Sequence, residues 1–156
     1  MPLISDHFSW AEATITLQRD PKTGLLLPNT PDPQASGALV HTFQQMERVR
    51  ALLGDRAITV HSAYRSPLVN AAVGGAKTSQ HMKGEAVDFH VRGLAFVAVA
   101  TRIAASPLPY DQLIEEGSWI HISFVSYRRP RRQALIMRVV NGRAAYVPFV
   151  PAGAAA

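Results

Sequence analysis

The sequence predicts an α+β fold, a mainly antiparallel β-sheet flanked by helices. Three observations carry that expectation. AVDFHV and SWIHISF alternate apolar and polar residues with the two-residue period of a half-buried strand. Asn141-Gly142 separates two apolar runs, Gln133 to Val140 and Arg143 to Val150, in the manner of a tight hairpin. Leu39, Phe43, Met46, Val49 and Leu53 share one helical stripe. A chain of 156 residues, 47% hydrophobic, is sized for one domain, expected over residues 1–150 with a flexible tail at 151–156.

Taken in order, Ser9-Trp10-Ala11-Glu12 reads as a capping box opening a short helix. Arg19 to Pro33 holds four prolines and a glycine, so it is expected to wrap the surface, pinned by Leu25 to Leu27. Ser36 is expected to cap the long helix and Gly54 to end it. Arg56 to Ala63 reads as a strand, and Ser66-Pro67 starts a short helix closed by Gly74-Gly75. Leu94 to Ala105 is an Ala/Val-rich helix stopped by Ser106-Pro107, and Tyr110 to Glu116 is a further strand. The alternation places Asp88 and His121 on the polar faces of their strands, away from the core.

Composition narrows the chemistry. The chain has no cysteine, so a disulfide framework and a thiolate metal cluster are excluded, and any metal site must use imidazole and carboxylate. A formal charge of +5 favours anionic partners. No run reaches the roughly 20 apolar residues that span a bilayer. MPLISDHFSW lacks a basic start and an apolar stretch, so synthesis in the cytoplasm without a signal peptide is expected.

The stretch SQHMKGEAVDFHV concentrates the ligand-type residues. Seven residues of continuous helix would hold His81 and Asp88 roughly 10 Å apart, too far to share one ion. A turn through Met82-Lys83-Gly84-Glu85 could bring them together, with His121 arriving from a neighbouring strand. Three protein ligands and one open position characterise a catalytic zinc. By residue type and spacing alone, solvated side chains are the more ordinary reading of the same three residues.

Ser79 to Asp88 resembles the SxHxxGxAxD motif of the zinc D-alanyl-D-alanine carboxypeptidase family of metallopeptidases, and Trp119-Ile120-His121 resembles its later W-x-H. HFSWAEAT, SAYRSPLVNAAVGGAKTSQH, YDQLIEE and WIHISF are similar, in order and spacing, to the family's phage and prophage branch, which includes phage L-alanyl-D-glutamate endopeptidases. The resemblance covers His7 to Phe124 and implies a hedgehog/DD-peptidase-like fold, with one Zn2+ ion held by His81, Asp88 and His121. It implies hydrolysis of peptide bonds in the peptidoglycan stem peptide or cross-link by a phage endolysin or virion-associated enzyme. A D-Ala-D-Ala carboxypeptidase and an inactive, metal-containing cell-wall-binding module are the alternatives. Action on the cell wall would then follow phage-mediated release or delivery within a virion.

In better-known members an acid lies three residues before the last histidine; here that position is Ser118. The resemblance to D-Q-L-I-x-E moves the general base to Glu116, with Glu115 the fallback. Arg65 resembles the family arginine that stabilises an oxyanion or holds a substrate carboxylate, and Ser79 the serine that contacts substrate or orients the first ligand. His90 shares the face of Asp88; His7, His41 and His61 are expected to be structural or exposed. The basic cluster Tyr127 to Arg132 reads as a solvated loop, so no nucleic acid is expected as a partner. The expected partners of this monomer are peptidoglycan stem peptides and the anionic envelope.

Overall fold

The computed structural model describes residues 1–151, so the tail expected at 151–156 lies, Pro151 apart, outside the described residues. Six strands form one sheet in the order β1-β2-β4-β3-β5-β6: β1 Ile58–Ser62, β2 Ala86–Val91, β3 Gln112–Glu115, β4 Ile120–Ser123, β5 Gln133–Val140 and β6 Arg143–Pro148. Every neighbouring pair is antiparallel except β3 with β5, which run parallel. The helices are α1 Trp10–Ala13, α2 Pro33–Leu52, α3 Pro67–Ala72 and α4 Phe96–Ala104, and a single 3₁₀ turn spans Gln80–Lys83.

One face of the sheet builds the core. Phe89, Ile120, Ile122 and Leu113 are fully buried there, together with Phe43 and Met46 of α2 and Ile103 of α4. At roughly 1.5–3 kcal/mol for each large apolar side chain withdrawn from water, this cluster anchors the strands that carry the polar face. Opposed residues of neighbouring strands point the same way, and the register sets Ser62, Asp88, His121 and Ile114 side by side across β1, β2, β4 and β3.

Three local expectations need correction. The long helix starts at Pro33, with the Asp32 carboxylate accepting from the Ala35 amide at 2.8 Å; Ser36 lies inside its first turns. Proline at the first helical position needs no amide partner, which makes Asp32-Pro33 the stronger start. The Leu25 to Leu27 run is not the main anchor, since Leu25 and Leu26 are exposed and Leu27 is only half-buried. Asn29 secures that loop instead: its amide donates to the carbonyls of Thr14 and Tyr64, and its oxygen accepts from the Ser66 amide at 2.7 Å. Lastly, Asp88 is on the polar face as expected but is buried, because neighbouring side chains close over it.

Candidate metal centre

The 3₁₀ turn holds His81 in place. The Ser79 hydroxyl accepts from the His81 amide at 3.2 Å, and Gly84 ends the turn at φ +75°. A Cβ at Gly84 would stand 2.5 Å from the Ala35 carbonyl oxygen, so glycine is required both for its dihedral and for the close approach of α2. Thr42 of α2 locks the contact by donating to the Gly84 carbonyl at 2.8 Å. The chain therefore doubles back between His81 and Asp88, and β2 begins two residues after the turn's glycine.

The three candidate ligands converge. Asp88 Oδ1 lies 3.2 Å from His81 Nε2 and 2.9 Å from His121 Nδ1, and one donor atom from each residue falls within 4.8 Å of the others. Two zinc bonds of 2.0–2.1 Å at a tetrahedral angle separate their donors by about 3.3 Å, so the set fits one small divalent cation. His81 Nδ1 donates to the Ala63 carbonyl at 2.7 Å, which fixes the tautomer and leaves Nε2 free to ligate. Arg65 Nη2 pairs with Asp88 Oδ2 at 3.1 Å while its Nε donates to the Ser62 hydroxyl, so the second carboxylate oxygen is tied down from outside.

The electrostatics agree with a ligand role. Burial alone would raise the Asp88 carboxyl, but His81 and His121 outweigh it and hold the group well below the usual carboxylate range. Burial lowers the His81 imidazole, only partly opposed by Asp88, so the ring is kept neutral as a ligand must be.

Residues 6–123 match the profile of the peptidase M15 family. The chain belongs to that family. A 65-residue stretch is 40% identical to the zinc D-Ala-D-Ala carboxypeptidase of Streptomyces albus G, covering 42% of this chain and 25% of that protein. A 59-residue stretch is 42% identical to the peptidoglycan L,D-endopeptidase MepK of Escherichia coli K12, covering 34% of this chain and 32% of that protein. The MepK of Shigella flexneri matches to the same extent. The chain thus spans between a quarter and a third of the length of these relatives.

Around the three candidate ligands the two glutamates part company. Glu115 is on the core side, 6% exposed, and accepts from the Gly117 amide. Glu116 follows on the ligand side, where burial raises its carboxyl, His121 lowers it and Asp88 raises it again. Ser118 lies in the connection between β3 and β4. A cleft of about 320 Å³ opens beside Asp88, lined by Ile15, Leu17, His61, Arg65 and Trp119 among others. His61 therefore faces the site, and His90 pairs with it, Nδ1 to Nε2 at 2.7 Å, instead of with Asp88. A larger groove of about 560 Å³ between α2 and Lys83 contains none of the three donors. Of the remaining histidines, His7 is bound to Glu47 at 2.8 Å and His41 lines that groove.

The basic cluster is not a free solvated loop. Arg128 and Arg131 both clamp the fully buried Asp111, with contacts from 2.7 to 3.0 Å, and Gln80 reaches the same carboxylate at 3.1 Å. Arg132 donates to the carbonyls of Leu108 and Ser106, just past the C-terminus of α4, where a cation meets the helix dipole favourably. A buried carboxylate needs such partners, and Asp111 in YDQLIEE was the overlooked signal that the arginines had a target.

Proposed function

We propose that the chain is a zinc-dependent peptidase that hydrolyses peptide bonds of the peptidoglycan stem peptide or cross-link. The observation that carries this reading is the convergence of His81, Asp88 and His121 within 4.8 Å, beside an open cleft. The printed names of both relatives, a zinc D-Ala-D-Ala carboxypeptidase and a peptidoglycan L,D-endopeptidase, support the metal and the substrate class. Bound there, zinc would polarise the scissile carbonyl and acidify a water molecule.

The chain's own groups supply the rest. Glu116 takes a proton from the attacking water and returns it to the departing amine, a role favoured by its place on the ligand face and by its raised carboxyl. Glu115, turned inward and engaged by Gly117, is the weaker candidate. Arg65 faces the cleft with guanidinium donors left over from its Asp88 contact, and these hold the carbonyl oxygen as charge develops on it. Ser79 accepts from the His81 amide and keeps its own O–H for the substrate. The +5 charge favours approach to an anionic envelope.

The finer reading is a phage-type endolysin or virion-associated endopeptidase, supported by the ordered motifs HFSWAEAT, SAYRSP and YDQLIEE. Two observations favour other readings: the carboxypeptidase name of one relative, and Ser118 where an acid is usual, which suits an inactive wall-binding module. Mass spectrometry of muropeptides digested by the zinc-loaded chain separates all three. New internal amines are expected; release of D-alanine alone would favour the carboxypeptidase, and unchanged muropeptides would leave the binding module.

A further inference from the structure

The β5–β6 hairpin lies beyond the family-matched segment, yet it extends the face that carries the metal ligands. The register is continuous: Asp88 opposes His121, His121 opposes Ile114, Ile114 opposes Leu135, and Leu135 opposes Pro148. Residues two apart along a strand share a face, so Glu116, Met137 and Tyr146 form the next row on the same side. Met137 and Tyr146 are direct partners across the hairpin, and Met137 Cε lies 3.8 Å from where a Cβ on Gly117 would stand. The hairpin is thereby packed onto the turn that follows Glu116.

Tyr146 is 50% exposed, and among the described residues its hydroxyl engages no hydrogen-bond partner. The register sets it on the ligand face in the row of Glu116, and partial burial, with Glu116 and Asp88 adding to it, raises its phenol. The half-exposed O–H is an available donor. In the row of the Glu116 carboxylate, a neutral peptide carbonyl is its favourable acceptor, whereas a substrate carboxylate would be repelled.

On the hydrolase reading above, we propose that Tyr146 is a substrate-binding residue: its phenol donates a hydrogen bond to a backbone carbonyl of the stem peptide, on the side of the metal centre away from Arg65. Arg65 adjoins Ser62 on β1, and Tyr146 stands on β6 at the opposite edge. The substrate therefore lies across the strands.

The test is Tyr146→Phe, which keeps the ring and removes only the hydroxyl. With purified muropeptide, KM is expected to rise about three- to tenfold, the worth of one neutral hydrogen bond, while kcat holds. Calorimetric Kd values for the same muropeptide, measured on zinc-loaded Glu116→Gln with and without Tyr146→Phe, are expected to differ by the same factor. Equal KM and equal Kd would overturn the role of Tyr146 and leave hydrolysis standing. Absence of hydrolysis by the unmodified chain would overturn the peptidase reading, while a Kd difference would still support Tyr146. Absence of both hydrolysis and binding would overturn the two together.

Discussion

Asp88 and Asp111 are both buried, and both are held well below the usual carboxylate range against the effect of burial, but their partners differ in kind. Two imidazoles converge on one oxygen of Asp88, bases that can be neutral and can ligate, and a single guanidinium, that of Arg65, takes the other. Two guanidiniums face Asp111, cations that never release their charge and never bind a metal. On the proposed reading, the same side chain serves chemistry in one pocket and architecture in the other. The partners decide, and they are distant in sequence.

The largest break in this contrast is Asp88→Asn. Zinc content measured by mass spectrometry should fall from one ion per chain to none, with turnover lost, because the amide cannot replace the anionic ligand. Glu116→Gln should lower kcat by about 10²- to 10⁴-fold, the usual worth of general acid–base catalysis, with zinc content unchanged. Loss of metal in that variant would mean that Glu116 acts on the ligands.

Gly84→Ala tests the turn that makes the ligands meet. A positive φ together with the 2.5 Å approach to Ala35 should cost about 2–4 kcal/mol in denaturant unfolding and weaken zinc binding as well. Stability alone should suffer from Asp111→Asn, by about 2–3 kcal/mol, less than a fully buried pair because both arginines reach solvent. Its pH signature follows from linkage. A carboxyl depressed in the folded state means that the unfolded chain binds more protons in acid, so stability is complete above the unfolded value of about 3.9 and is lost as pH falls below it. The Asn variant should show a flatter decline between roughly pH 5 and pH 2.

What could be read from the sequence follows the same division. The strands around Asp88 and His121 were legible because alternation is a local pattern with a period of two, and the glycine of the turn was legible because few residues tolerate its dihedral. Burial of Asp88 was not, since His81 and Arg65 close over it from other elements. Asn29, joining Thr14, Tyr64 and Ser66 from up to 37 positions away, leaves no local trace. Nor does the Asp111 clamp, so the arginines read as a solvated run. Tyr146 was within reach: a two-residue loop at Asn141-Gly142 pairs Val140 with Arg143 and hence Met137 with Tyr146.

Anomalous diffraction at the zinc absorption edge, from crystals grown with the metal, examines the shared site most directly. A single peak is expected within about 2.2 Å of His81 Nε2, an Asp88 carboxylate oxygen and His121 Nδ1. A peak bound elsewhere, or those donors turned away from one another with no peak between them, would contradict it.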